Sequence, residues 1–211
     1  METIEFGKSQ KTMSGLLQKA LKKAMTYDGY RAYTTQLSLT GKTSGEKQSE
    51  DLVGYTLLNV KRMKRLDRTL KVPSTILEDL GGPIKKQYWL VLTESWCADA
   101  AQSLPVMNKI ASLYPSIFLR IVLRDENLEL MSFFLTGGSL SIPKLIAIDA
   151  GTGNVIGQWG PRPSRATVLA SDHKRENGFL TPEFKELLQV WYNKDKGENI
   201  MQDLLRLLAL E

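Results

Sequence analysis

The part of the sequence that most constrains the fold is residues 87–159, where short apolar runs alternate with longer segments of helical character. The runs rich in strand-forming residues are 88–92, 117–123, 144–149 and 155–159. Their order with the intervening helical segments, strand, helix, strand, helix, predicts a parallel pair of strands joined by crossovers. The turn residues at 150–154 predict that the last two strands form an antiparallel hairpin. We therefore expect an α/β fold with a mixed central sheet.

Helical segments are predicted within this stretch and after it. A helix is expected at 99–114, with Pro105 inside it, and a short one at 128–135. Pro182 opens another amphipathic segment, and the last helix is expected at 200–210. The polar residues 171–177 are interpreted as a surface loop. They contain the single histidine, His173, which we do not expect to pair with a catalytic residue.

The first third of the chain is also predicted to be helical. Its first helix spans 13–37 and is interrupted at Gly29, and the polar residues 40–49 are interpreted as a flexible connection. A second helix starts near Glu50 and ends before Pro73, because proline lacks the amide donor that a helix interior needs. Pro73 then opens a short helix that ends at Gly81 and Gly82.

Composition and charge narrow the class of protein. Hydrophobic residues make up 42% and charged residues 24% of the 211 residues, as in folded globular proteins. The apolar runs are too short to span a membrane, and the first residues lack a secretory pattern, so we expect a cytoplasmic protein with no membrane partner. The net charge of +5 is spread along the chain, which does not favour a nucleic-acid partner. The basic cluster 61–65 is interpreted as the solvated face of a helix, with a patch for phosphate or an acidic partner as the alternative.

The single cysteine, Cys97, decides several questions. One thiol makes neither an intramolecular disulfide nor a cysteine-based metal cluster, so any disulfide is intermolecular. We predict no metal and no cofactor.

Three landmarks in the sequence carry a resemblance to a known family. The sequence Trp96-Cys97 follows a predicted strand, Pro105 lies in the next helix, and Pro143 precedes the predicted hairpin. This pattern resembles the thioredoxin superfamily, and in particular a bacterial thioredoxin-like family with a Trp-Cys-Gly-Asp motif and a helical segment before the core. The resemblance implies a three-layer thioredoxin-like domain at 86–211, which includes the C-terminal helices, and a helical N-terminal extension at 1–85.

The resemblance also implies a site. Cys97 is the candidate catalytic residue, and Pro105 has a structural role as the proline that kinks the helix. The active-site neighbours are Trp96, Ala98, Asp99, Ala100, Ile142 and Pro143. The family's proline at this position is cis, and the backbone of the preceding residue, here Ile142, pairs with an extended substrate.

Two departures from the thioredoxin pattern limit the chemistry. Ala100 replaces the second cysteine, and Val91 replaces the buried aspartate that serves it. A mixed disulfide at Cys97 therefore needs an external resolving thiol, and dithiol reductase activity is excluded.

The local physics of Cys97 gives an expectation for its reactivity. A cysteine just before a helix faces free amide donors and the positive end of the helix dipole, which favour the thiolate. Asp99 opposes this effect with its negative charge. We predict an exposed thiol with a modestly lowered pKa; the alternative is a buried and inert cysteine.

Three functional hypotheses follow. The first is a monothiol thioredoxin-like protein in which Cys97 exchanges with a protein disulfide or a low-molecular-weight thiol. The second is a redox-inactive binding module that uses the groove at Ile142 and Pro143. The third assigns the main role to the basic helical segment before the core, as a docking element for a protein or an acidic surface.

Overall fold

The central element of the protein is a mixed sheet of four strands. It is seen in a computed structural model that describes residues 2–74 and 84–208, with side chains described from Thr12 onward. The strands are β1 (Gln87–Thr93), β2 (Ile117–Leu123), β3 (Lys144–Asp149) and β4 (Val155–Trp159), in the order β2-β1-β3-β4. β1 pairs with β2 in parallel, and β3 pairs antiparallel with both β1 and β4. The predicted α/β class, mixed sheet and hairpin are confirmed.

The sheet is covered on both faces. All residues of β3 except Asp149 are buried, although successive side chains of a strand point to opposite faces. β1 shows the same pattern, with only Tyr88 partly exposed. Near-continuous apolar runs are typical of strands that lie between two layers of helices.

The helices are numbered along the chain. They are α1 (Glu2–Lys23), α2 (Tyr27–Leu39), α3 (Glu50–Thr69), α4 (Ala98–Leu113), α5 (Leu128–Met131), α6 (Ser164–Asn177), α7 (Pro182–Asp195) and α8 (Glu198–Leu208). Most of the helix predicted at 73–82, and the last residues of the one predicted at 200–210, lie outside the described residues.

The predicted break at Gly29 is wrong. The chain turns at 24–26 instead, and Gly29 lies inside α2. Thr26 caps α2 by accepting a hydrogen bond from the Gly29 amide. Met25 forms two backbone hydrogen bonds with Ile121 of β2, of 2.8 and 2.9 Å, and so covers part of the edge of the sheet.

Two further local predictions are corrected. Residues 171–177 are the end of α6 and not a loop; they are polar because much of this helix faces solvent, and Gly178 ends it with a positive φ of 80°. The His173 ring stacks on Phe184 of α7 with centroids 4.3 Å apart. The helix predicted at 128–135 is α-helical only in α5, with a 3-10 turn on each side.

The N-terminal helices contribute to the same hydrophobic core as the sheet. Leu17, Tyr30 and Met63 are buried in one cluster with Trp89 of β1. α3 packs along α4, the helix that follows Cys97. This packing brings the N-terminal third of the chain directly to the candidate site.

Candidate functional site

Cys97 lies at the junction between β1 and α4. It is the N-cap residue of α4, and its Sγ accepts a hydrogen bond from the Ala100 amide at 3.4 Å. The thiol donates to the Ile142 carbonyl oxygen at 3.3 Å. Only 7% of Cys97 is exposed. The thiol is therefore held between the first turn of α4 and the loop before β3.

The environment of Cys97 favours the neutral thiol. Burial raises the pKa of Cys97 to about 12, and the negative charge of Asp99 also raises it. The amide groups of Ala100 and Asp99 oppose this rise but do not cancel it. The predicted exposed thiol with a lowered pKa is wrong, because loss of hydration outweighs the effect of the helix N-terminus.

Asp99 is buried beside the cysteine and bound from two sides. Its Oδ1 accepts a hydrogen bond from the Tyr192 hydroxyl of α7 at 3.0 Å, and its Oδ2 lies 2.8 Å from Nη2 of Arg162. Burial raises the pKa of Asp99, while Arg162 and Tyr192 act against this rise. The carboxylate thus connects α4 with α7 and with the loop after β4.

Two proline loops meet beside Cys97. The Ile142–Pro143 and Gly160–Pro161 peptide bonds are both cis. Gly160 has a φ of +111°, and a Cβ atom there would overlap the carbonyl oxygen of Pro143. Glycine is required at this position because both the backbone angle and the close approach exclude a side chain.

A buried hydroxyl network supports the segment before Cys97. The Ser95 Oγ lies 2.8 Å from the hydroxyl of Thr56 and 3.1 Å from that of Thr43, and it accepts a 2.9 Å hydrogen bond from the Ser44 amide. Asn59 of α3 donates to the Ser95 carbonyl at 2.9 Å. Residues 40–49 are therefore not the predicted flexible connection, since part of this stretch is buried against the site.

Glu94 adds a carboxylate to this network. It accepts hydrogen bonds from the Ser44 hydroxyl and, at 2.9 Å, from the Asp125 amide. Burial raises the pKa of Glu94, and the bond from Ser44 opposes that rise. Residues 94–97 are thus bound by both the N-terminal region and the loop after β2.

An open groove of about 660 Å³ lies over Cys97. Its walls are α3, the Cys97 segment, the two proline loops and the start of α7. Its apolar lining includes Leu52, Tyr55, Leu58, Trp96, Leu140, Ile142, Pro161, Leu180, Pro182 and Leu188. Tyr55 and Leu58 are 45% and 42% exposed, and the Arg124 guanidinium lies 5.1 Å from the centre of the Trp96 ring.

The structure places the predicted site residues as follows. Those that line the groove are Trp96, Cys97, Ala98, Asp99 and Ile142. Ala100 is buried beneath it with its amide on the thiol, Pro143 follows Ile142 in the cis loop, and Pro105 is buried inside α4.

Sequence reasoning missed Arg62, Arg162 and Tyr192. Arg62 belongs to the basic cluster of α3 but also lines the groove. The position of Arg162 between two prolines was a signal that it lies in a constrained loop. Tyr192 carried no such signal, because its partner Asp99 is far away in the sequence.

The described residues contain neither a metal-binding cluster nor a membrane-spanning helix. No group of three or more histidine, cysteine, aspartate or glutamate side chains there is placed to hold a metal ion. No helix in residues 2–74 and 84–208 has the length and apolar character needed to span a membrane.

Comparison with known proteins identifies the family. The sequence model of a family described as thioredoxin matches residues 45–174, whereas no curated protein matches the chain. A crystal structure of a protein of unknown function from Pseudomonas aeruginosa is 19% identical, with 83% of this chain and 96% of that chain covered and a TM-score of 0.54. A crystal structure of an HIV epitope scaffold is 18% identical, with the same coverage and a TM-score of 0.53. At these identities the two structures show a shared fold alone.

The family match extends beyond the sheet. It begins in the polar segment before α3 and ends within α6, so it includes Cys97, both proline loops and most of the groove. Since the match covers more than half of the chain, this protein belongs to the thioredoxin family.

Proposed function

We propose that the protein is a redox-inactive thioredoxin-fold binding module that binds an extended segment of a partner protein in the groove beside Ile142 and Pro143. The observation that carries this proposal is the state of Cys97. Its thiol is buried, donates to the Ile142 carbonyl and has a pKa of about 12. Because the thiolate is the nucleophile in disulfide exchange, a thiol in this state is unsuited to attack at neutral pH.

The groove itself supports peptide binding. Its exposed apolar side chains on α3 face the loop of Ile142, and apolar clefts with a few polar groups are typical binding sites. Within the described part of the chain, the Ile142 amide has no hydrogen-bond partner. An extended segment that accepts a hydrogen bond from this amide would satisfy it and place its side chains along the groove.

Selection of peptides from a random display library tests this proposal. We expect the wild-type protein and the Cys97→Ala variant to enrich the same peptides, since binding uses the groove and not the thiol. Leu58→Gln should abolish enrichment. Leu57→Gln is the matched control, because Leu57 is 44% exposed on the same helix but does not line the groove. Enrichment that depends on Cys97, or that Leu58→Gln leaves unchanged, would contradict the proposal.

A second candidate is monothiol exchange, which the position of Sγ at the N-terminus of α4 favours. In this reaction the Cys97 thiolate attacks a disulfide, forms a mixed disulfide and releases one thiolate. An external thiol then attacks the sulfur bound to Cys97, forms a new disulfide with that group and releases Cys97 as the thiolate. Incubation of the native protein with oxidised glutathione, followed by mass spectrometry, separates the two candidates. The binding module should remain unmodified, whereas a monothiol protein should gain one glutathione adduct that dithiothreitol removes.

A further inference from the structure

The groove over Cys97 is unevenly charged. Its described lining contains four cationic side chains, Arg62, Arg124, Arg162 and Lys185, and two carboxylates, Asp99 and Glu186. Arg124 is paired with Asp125 at 2.6 Å and Arg162 with Asp99 at 2.8 Å. Both pairs neutralise part of the positive charge of the groove.

Arg62 has no carboxylate partner in the described part of the chain. Its Nη1 donates to the neutral side chain of Asn59 at 2.9 Å. Burial lowers the pKa of Arg62, and the positive charge of Arg65 lowers it further. The negative charge of Asp99 acts on Arg62 without an ion pair between them, so this partly desolvated guanidinium still favours the binding of an anion.

Arg162 has a donor that its ion pair does not use. Its Nη2 binds Asp99, but its Nε is buried and has no hydrogen-bond partner among the described residues. Buried donors in proteins are nearly always satisfied, so an unsatisfied one requires an explanation. Arg62 and Arg162 both line the groove, and the positive charge of each opposes the rise in the pKa of Asp99.

We propose that the groove selects an apolar segment that carries an acidic side chain, and that Arg62 and Arg162 bind its carboxylate. This inference rests on the binding function proposed above. The apolar residues that flank the acidic one pack against Tyr55 and Leu58. The carboxylate accepts from guanidinium donors of Arg62 and Arg162 other than the buried Nε of Arg162. The partner is thus a peptide segment with an aspartate or glutamate between bulky apolar residues.

The test uses two pools of short synthetic peptides, in which a central glutamate or a central glutamine is flanked by leucine, isoleucine, valine or phenylalanine. Binding is measured by fluorescence anisotropy. We expect wild type to bind the glutamate pool roughly tenfold more tightly than the glutamine pool, which is the discrimination that one charge-assisted hydrogen bond provides. Arg62→Gln should lose this discrimination. Arg65→Gln should keep the discrimination. This substitution removes the same charge from α3, but the Arg65 side chain binds Asn193 and does not line the groove.

The outcomes separate this inference from the function on which it rests. If wild type bound both pools equally and Leu58→Gln abolished this binding, the carboxylate site would be overturned, whereas the proposed binding module would stand. The carboxylate site would also be overturned if the Arg62→Gln variant still preferred the glutamate pool. It would likewise be overturned if Arg65→Gln lost the preference as fully as Arg62→Gln, because the general positive charge of α3 would then explain it. If neither pool binds while the display selection yields other peptides, the acidic preference is wrong. If the selection yields none, the binding function itself fails.

Discussion

The state of Cys97 makes a quantitative prediction about its alkylation. Burial and the charge of Asp99 raise the pKa of Cys97 from an ordinary 9.0 to about 12. At about pH 8, an ordinary thiol is roughly one-tenth ionised, and one with a pKa of about 12 is ionised in about one molecule in ten thousand. Native Cys97 should therefore react about a thousandfold more slowly than the same cysteine in the unfolded chain, before any steric protection is counted.

The assay compares iodoacetamide labelling of the native protein with labelling of the chain in guanidinium chloride, quenched over time and followed by mass spectrometry. The chain has one cysteine, so each added mass reports on Cys97 alone. In the native protein the rate should rise about tenfold per pH unit through the neutral and mildly alkaline range, with no plateau. In the unfolded chain the rate should level off near the ordinary thiol pKa.

If the native protein reached its half-maximal labelling rate at a pH below the ordinary thiol pKa, the raised pKa of Cys97 would be wrong. That result would mean that the amides of α4 stabilise the thiolate more than burial destabilises it. The monothiol candidate would then become the better account of the site. Local opening of the protein is controlled by repeating the native measurement over a range of low denaturant concentrations, because labelling through opening rises with denaturant.

Three variants test other parts of the site by urea unfolding, and a fourth, Gly54→Ala, is the control for Gly160→Ala. Arg162→Met removes the cation paired with buried Asp99, so we expect a loss of about 3 kcal/mol at about pH 7 and a smaller loss in acid, where Asp99 takes up a proton. Glu94→Gln should reduce the pH dependence of the free energy of unfolding. The pKa of Glu94 is higher in the folded protein than its ordinary 4.5, so this carboxyl stabilises the fold below pH 4.5, and the stabilisation is lost as the pH rises through the folded-state pKa. Gly160→Ala should cost about 2 kcal/mol or more, because it combines a φ of +111° with backbone overlap. Gly54→Ala, on the exposed face of α3, should stabilise by up to about 1 kcal/mol.

Each of these expectations has an opposite result that would contradict it. If Arg162→Met lowered the free energy of unfolding by the same amount in acid as at about pH 7, loss of the ion pair with Asp99 would not be the cause. A Glu94→Gln variant whose stability falls with pH as steeply as wild type would place the titrating group elsewhere. Equal effects of alanine at Gly160 and Gly54 would show that the contact between the two proline loops contributes no stability.

Much of the architecture could be predicted from local pattern. The strands at 117–123, 144–149 and 155–159 have the predicted bounds, and the hairpin and parallel pair are as expected. Long apolar runs and glycine-rich turns are properties of neighbouring residues, so they are readable in the sequence. The prediction failed where polar residues are helical, as at 171–177, or buried, as at Thr43 and Ser44.

The candidate site divides in the same way. The order of residues alone shows that Cys97 is the single cysteine, predicts that it precedes a helix and excludes an intramolecular disulfide. The charge of Asp99 is readable two residues from Cys97, but the protonation of the thiol depends on tertiary packing, because the Ile142 loop and other segments that bury it are distant in the chain. The same holds for the groove, in which α3, two proline loops and α7 bring Arg62 and Arg162 to one place. Helix capping is a local interaction, whereas desolvation and charge pairing arise from packing, and at this site the packing determines the chemistry.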